Sequence, residues 1–165
     1  MTSRVGQGFD AHAFEGDGGT GPLVLGGVSI PGGPGLTGHS DADVVLHALA
    51  DALLGAAGQG DLGDLVGIDE PGTAGASSHV FVEEALRQAR EAGWSVANAD
   101  LTVVAQEPHL GPHRQSMRAR VAELLEVAPA AVNVKATTTD HLGALGRREG
   151  IACLAVVLLE ASPSN

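Results

Sequence analysis

The stretch GHSDADVVLHALADALLG, residues 38–55, decides how the rest of the chain must be arranged. Val44, Val45, Leu46, Leu49, Leu53 and Leu54 recur densely enough to bury most of the surface of an α-helix. Asp43, His47 and Asp51 nevertheless fall four residues apart, so at 3.6 residues per turn they share one face. A helix built for the core but carrying a carboxylate–imidazole–carboxylate stripe needs a sheet to lie on and a polar partner for the stripe. Ser40 reads as its N-cap, with Asp43 three residues on as a short capping-box partner, and the helix is expected to end near residues 55–60.

On either side of this helix the sequence supplies the sheet. Residues 4–14 read as a strand, and residues 23–30 (LVLGGVSI) as another, split by glycines that suggest a bend or bulge. The loop PGGPGLTG, residues 31–38, lacks the Lys-Ser/Thr that would follow in a phosphate-binding P-loop. A second helix is expected over residues 78–92, where Glu83 and Glu84 precede Arg87 and Arg90 in the order the helix dipole favours. A strand with irregular alternation (94–106), a helix (111–127), a strand (131–139) and a buried apolar strand (151–160) complete the chain. The expected fold class is α+β, a single-domain two-layer sandwich with one mixed sheet and helices packed on one face. Its domain spans residues 1–160, and residues 161–165 form a polar tail.

Composition narrows the functions open to such a fold. At 165 residues the chain is long enough for a normal core, yet it has no Tyr, one Trp and three Phe, so aliphatic residues must fill that core. A net charge of −11 argues against nucleic acid and anionic membranes as partners. Lys135 is the only lysine, so phosphate recognition must rest on Arg, backbone N–H groups or metal ions. Cys153 stands alone in an apolar run and cannot form an internal disulfide, which fits a reducing cytoplasm. Neither a signal-peptide core nor an 18-residue apolar run is present in the sequence.

Three constellations carry chemistry. Asp10 and His12 lie two apart on a strand and so point to one face, a placement that suits a divalent metal such as zinc or a hydrogen-bonded surface pair. His47 can complete a three-ligand catalytic site with Asp43 or Asp51 orienting an imidazole, or can be a core histidine bonded to Asp51 beneath an Asp43 cap. The segment His39-Ser40-Asp41 ahead of the helix offers N–H groups to an anion. In KATTTDHLG, residues 135–143, the threonines and Asp140 read either as a strand end closed by an Asx-type turn or as a polar cradle. In the second case Asp140 would hold a hard cation such as magnesium against phosphate oxygens.

Four ordered segments, GFDAHAF (8–14), GHSDADVVLHALADALLGAAGQGDLG (38–63), VNVKATTTDHLG (132–143) and GRREGIACLAVVLL (146–159), resemble the 2-C-methyl-D-erythritol 2,4-cyclodiphosphate synthase family of the non-mevalonate isoprenoid pathway. The resemblance spans nearly the whole chain. It implies that 4-diphosphocytidyl-2-C-methyl-D-erythritol 2-phosphate is cyclised, its 2-phosphate oxygen attacking the β-phosphate and CMP leaving. By match, Asp10, His12 and His47 bind zinc and Asp140 binds magnesium, for which Mn²⁺ is a substitute. Asp61 and Gly63 match the ribose site, while Ala105, Pro108, Ala136, Thr137 and Thr138 match a cytosine pocket lent by a neighbouring subunit. His39 and Ser40 match the anion-binding helix start. The family is a homotrimer, and Arg147 and Glu149 match its central cavity, which can hold an isoprenoid diphosphate; their charges are expected to pair around the threefold axis.

The chain departs from the family at several positions. Asp140 stands for Glu, His141 for Lys, Ala144 and Leu145 for Phe-Thr, and His109 for a pocket lysine. The loop at residues 66–70 lacks the Phe-Pro-x-x-Asp pattern, and residues 72–78 lack a frequent lysine. An intact zinc set beside an altered phosphate shell leaves two other readings, a zinc phosphohydrolase and a non-catalytic trimer binding zinc, nucleotide or isoprenoid diphosphate.

Overall fold

Two glycines at alternate positions of the first strand let the central helix rest directly on its backbone. The computed structural model describes residues 2–16, 21–38, 40–66 and 77–162. In chain order these form β1 (Ser3–Ala13), β2 (Pro22–Leu25), β3 (Val28–Pro34), α1 (Val44–Ala57), α2 (Leu62–Val66) and α3 (His79–Glu91). There follow β4 (Trp94–Val104), α4 (Arg114–Leu124), β5 (Val132–Thr137), α5 (Gly143–Gly146) and β6 (Gly150–Ala161). The main sheet has the order β1-β6-β4-β5, antiparallel except for the parallel β4–β5 pair.

The apolar density of α1 has its explanation here, since twelve of its fourteen residues are buried. Its Ala48, Ala52 and Ala56 stripe lies on Gly6 and Gly8 of β1, where any Cβ would run into the backbone oxygens of Ala52 and Ala48. Leu46, Leu49, Leu53 and Leu54 are fully buried in the same core as Leu101, Val103, Ile151, Ala155, Val157 and Leu159 of the sheet. Gly58, at φ 73°, ends the helix in the left-handed conformation and returns its N–H to Gly55 and Leu54. The opposite face of the sheet carries no helix among the described residues and exposes Val5, Phe9 and Val156. The two-layer α+β sandwich with one mixed sheet and its helices on one face is therefore the architecture observed.

Four local expectations change. Residues 23–30 are a hairpin rather than one bent strand: Gly26 and Gly27, at φ 60° and 72°, are the two positive-φ residues that join β2 to β3. This two-stranded ribbon stands apart from the main sheet, and β3 runs on to Pro34 through what reads as loop. The helix begins at Val44 with Asp43 as its N-cap, so Ser40 is free for another role. Ala161 belongs to β6 and the Ser162 N–H bonds to Gly93 O at 2.8 Å, so the ordered domain outruns residue 160; residues 163–165 lie outside the described residues. The irregular alternation of β4 has its cause in a register shift between Val96 and Asn98 opposite β6.

Candidate active site

The parity that puts Gly6 and Gly8 beneath α1 puts Asp10 and His12 on the same face of β1, further along the strand. The helix crosses that end of the strand with its first turn, so His47 comes down beside them. Asp10 Oδ2 lies 3.0 Å from both His12 Nε2 and His47 Nδ1. The two imidazole nitrogens are 3.3 Å apart, with ring centroids 5.4 Å apart in an edge-on arrangement. A metal about 2.0–2.1 Å from tetrahedral ligands sets those ligands roughly 3.3 Å apart, so the three atoms converge as such a site requires. Asp10 and His12 remain partly open to solvent while His47 is buried, which leaves a fourth position for a ligand on the open side. The group can hold a metal ion.

The surroundings prepare the imidazoles for that role. His12 Nδ1 sits 2.7 Å from Thr37 O, which can only accept, so Nδ1 carries a proton and Nε2 is the nitrogen a metal would take. His47 turns Nε2 to Ser78 Oγ at 2.9 Å and Ser40 Oγ at 3.1 Å. Burial pushes the Asp10 carboxyl up, but hydrogen bonds from His12 and His47 more than reverse this and hold it below the usual carboxylate range. The carboxylate raises His12 in turn.

Of the polar stripe on α1, only His47 faces this group. Asp43 is fully buried and accepts from four backbone N–H groups: Val45 and Leu46 at 3.0 and 3.2 Å, and Gly26 and Gly27 at 2.8 and 2.7 Å. It caps the helix and pins the β2–β3 turn to it. Asp51 accepts from Leu62 N at 2.7 Å and so fixes the start of α2. Neither orients an imidazole, contrary to the expectation from spacing. At the helix start the Ala42 N–H donates to Ser40 Oγ, that of Asp43 to Asp41 Oδ1, and those of Val45 and Leu46 to Asp43 Oδ1.

The remaining expected residues separate into distinct places. Asp61 accepts from Asp64 N at 2.9 Å and opens α2, which also contains Gly63. Ala105, Pro108, Ala136, Thr137 and Thr138 all line one open cleft of about 490 Å³, which also includes His109 and Arg114. None of the three metal-type ligands lines it. Asp140 is exposed past the end of β5, at φ 55°, its N–H on Thr138 Oγ1 at 3.2 Å. Lys135 is paired with Asp100 at 2.5 Å on the exposed face of β5. Arg147 and Glu149 pair with each other within this chain at 2.6 Å. His39 and the altered loop at residues 67–76 lie outside the described residues.

Thr37 contributes only a backbone oxygen, which leaves no trace in residue type. Ser78 had a signal in its place ahead of a helix, but its side chain makes no cap bond there and turns to His47 instead.

Fold and site together define a class: an α+β protein whose edge strand and central helix present an open two-histidine, one-carboxylate site of the kind that binds a divalent metal. Within that class the chain belongs to the YgbB family, whose model matches residues 3–160. It is 54% identical over 156 residues to the 2-C-methyl-D-erythritol 2,4-cyclodiphosphate synthase of Alkalilimnicola ehrlichii, covering 94% of each chain. Among solved structures it is similar to the bifunctional IspDF of Campylobacter jejuni, with a TM-score of 0.91 and 42% identity, covering 97% of this chain and 42% of that longer one. It is also similar to Plasmodium falciparum IspF in its CDP complex, with a TM-score of 0.84, 30% identity and coverage of 98% and 97%.

Proposed function

We propose that the chain catalyses cyclisation of 4-diphosphocytidyl-2-C-methyl-D-erythritol 2-phosphate to 2-C-methyl-D-erythritol 2,4-cyclodiphosphate with release of CMP. One observation carries this: a chain matched almost end to end by synthases of that name keeps Asp10, His12 and His47 converged on one metal-sized point. The phosphohydrolase and the non-catalytic binding module find no support among these relatives.

Attack of the 2-phosphate oxygen on the β-phosphorus forms one P–O bond as the bond to CMP breaks, with no water consumed. The difficulty is bringing two anionic phosphates into line, so positioning and charge neutralisation dominate. Zinc on Asp10, His12 and His47 would supply Lewis-acid charge at a phosphate oxygen, and magnesium, or manganese, on Asp140 would neutralise the diphosphate. Asp10 contributes the anionic ligand and the two imidazoles neutral ones, so a bound zinc would keep a net positive charge for phosphate. The cleft formed by Ala105, Pro108, Ala136, Thr137 and Thr138 suits the cytosine, and Thr137 and Thr138 are exposed donors for phosphate or base. Asp61 and Gly63 would hold the ribose, and His39 and Ser40 the phosphate side.

The separation of cleft and triad within one chain supports a homotrimer in which a neighbour lends the cleft. The exposed Val5, Phe9 and Val156 give the open sheet face a reason to be covered. Arg147 and Glu149 then line the central cavity, where an isoprenoid diphosphate would meet the arginine. A buried free thiol at Cys153 suits a reducing compartment, the cytoplasm. Among the described residues no helix is long and apolar enough to cross a membrane.

The test is product analysis by ³¹P NMR with the cytidylyl substrate and Mg²⁺ or Mn²⁺. CMP and cyclic diphosphate in equal amounts are expected. Linear diphosphate or inorganic phosphate would move the protein to the hydrolases, and binding without product would make it a binding module.

A further inference from the structure

Ser78 is fully buried at the start of α3, in the N-cap position, where a serine ordinarily accepts from the helix's own N–H groups. It makes no such bond. Its hydroxyl lies between His47 Nε2, at 2.9 Å, and the carboxylate of Asp41. Asp41 also accepts from Ser77 Oγ and Ser78 N, each at 3.1 Å, and from Asp43 N at 3.3 Å. Ser40 Oγ, which accepts from Ala42 N at 3.2 Å, flanks the same histidine nitrogen at 3.1 Å and Ser78 Oγ at 3.3 Å.

The donor count decides the direction of this chain. A carboxylate only accepts, so the Ser78–Asp41 bond must use the single proton of the Ser78 hydroxyl. Ser78 then has only lone pairs left for His47, and Nε2 must carry the hydrogen that bridges them. That hydrogen stays on Nε2 when a metal takes the place of any proton on Nδ1, the nitrogen that faces Asp10 and His12. We propose that Asp41 and Ser78 are positioning residues of the metal site: through the Asp41–Ser78–His47 hydrogen-bond chain they hold His47 in the tautomer whose Nδ1 can bind a metal. This rests on the metal reading above and adds two residues to it, Asp41 in the loop ahead of α1 and Ser78 at the N-cap of α3.

Asp41→Asn tests the chain with almost no change of shape. The new amide donates to Ser78, which frees the Ser78 proton to point at Nε2 and drives the hydrogen of His47 onto Nδ1, into the metal site. In metal-free, ¹⁵N-histidine-labelled protein the parent is expected to show a hydrogen on His47 Nε2, and Asp41→Asn none there. Zinc affinity, measured by competition with a chromophoric chelator, is expected to fall about 10- to 100-fold in Asp41→Asn and Ser78→Ala, and to recover in Ser78→Thr, which keeps the hydroxyl. Thermal unfolding of the metal-free variants separates this from loss of fold. A parent with no hydrogen on His47 Nε2, or an Asp41→Asn variant that keeps that hydrogen and the parent's zinc affinity, would overturn the proposal. A parent that binds zinc no more tightly than His47→Ala would instead sink the metal reading itself, while the tautomer measurement still judges the hydrogen-bond chain.

Discussion

Asp43 and His47 sit one turn apart on the same helix face and do opposite work. Asp43 ends in four hydrogen bonds from backbone N–H groups, so Asp43→Ala strands the N–H of Gly26 in the interior as well as removing the cap. A lost cap costs about 1 kcal/mol and a buried unpaired N–H about 1–3 kcal/mol, so denaturant unfolding should register a loss of about 3 kcal/mol. Burial pushes the Asp43 carboxyl up to about 6, and the N–H donors of Gly27, Gly26 and Leu46 pull it back only in part. The folded state therefore binds this proton more tightly than the unfolded chain does. Measured against Asp43→Asn, stability should fall as pH rises from about 4 to 6 and level off above; a rise over that window would contradict the assignment. His47→Ala should lose at least 100-fold in zinc affinity with its circular dichroism unchanged. Spacing alone showed that the three polar residues share a face. It could not show which of them a strand would meet, because Asp43 and Asp51 are satisfied by backbone groups of β2–β3 and α2.

At the level of elements, the site is a consequence of how closely α1 approaches β1. Gly6 and Gly8 alternate with Val5, Gln7 and Phe9, and Ala48, Ala52 and Ala56 repeat every four residues, so both halves of the contact were written in the sequence as small-residue stripes. They were legible only as a pair, since neither stripe by itself says what it touches. Gly8→Ala would drive a methyl group into backbone rather than a yielding side chain. Calorimetry should show a loss of about 3 kcal/mol, or roughly 10 °C in Tm, together with weaker zinc binding as His47 is lifted from Asp10. Gly55→Ala on the same helix meets nothing within 4 Å and should instead gain about 0.5–1 kcal/mol. The longer helices and the strands of the main sheet followed from periodicity, whereas the short α2 and α5 did not. The β2–β3 hairpin did not, because Gly-Gly marks a bend and a two-residue turn equally well until the pairing partner is known.

For the molecule as a whole, one chain carries a metal-type triad and a nucleotide-sized cleft that share no residue, and its sheet leaves an apolar face uncovered. Multi-angle light scattering is expected to give a trimer at micromolar concentration; a monomer active at that concentration would refute the shared site. Asp140, one methylene shorter than the glutamate it replaces, should still serve magnesium. Asp140→Asn is expected to lower turnover by a large factor and Asp140→Glu to keep or raise it, with an Asn variant as active as the parent removing Asp140 from the site. All of this turns on whether Asp10, His12 and His47 hold a metal. Crystals grown with zinc and measured on both sides of the zinc absorption edge answer that directly. The account predicts an anomalous peak about 2.0–2.2 Å from Asp10 Oδ2, His12 Nε2 and His47 Nδ1. Ordered side chains with no peak between them would contradict it.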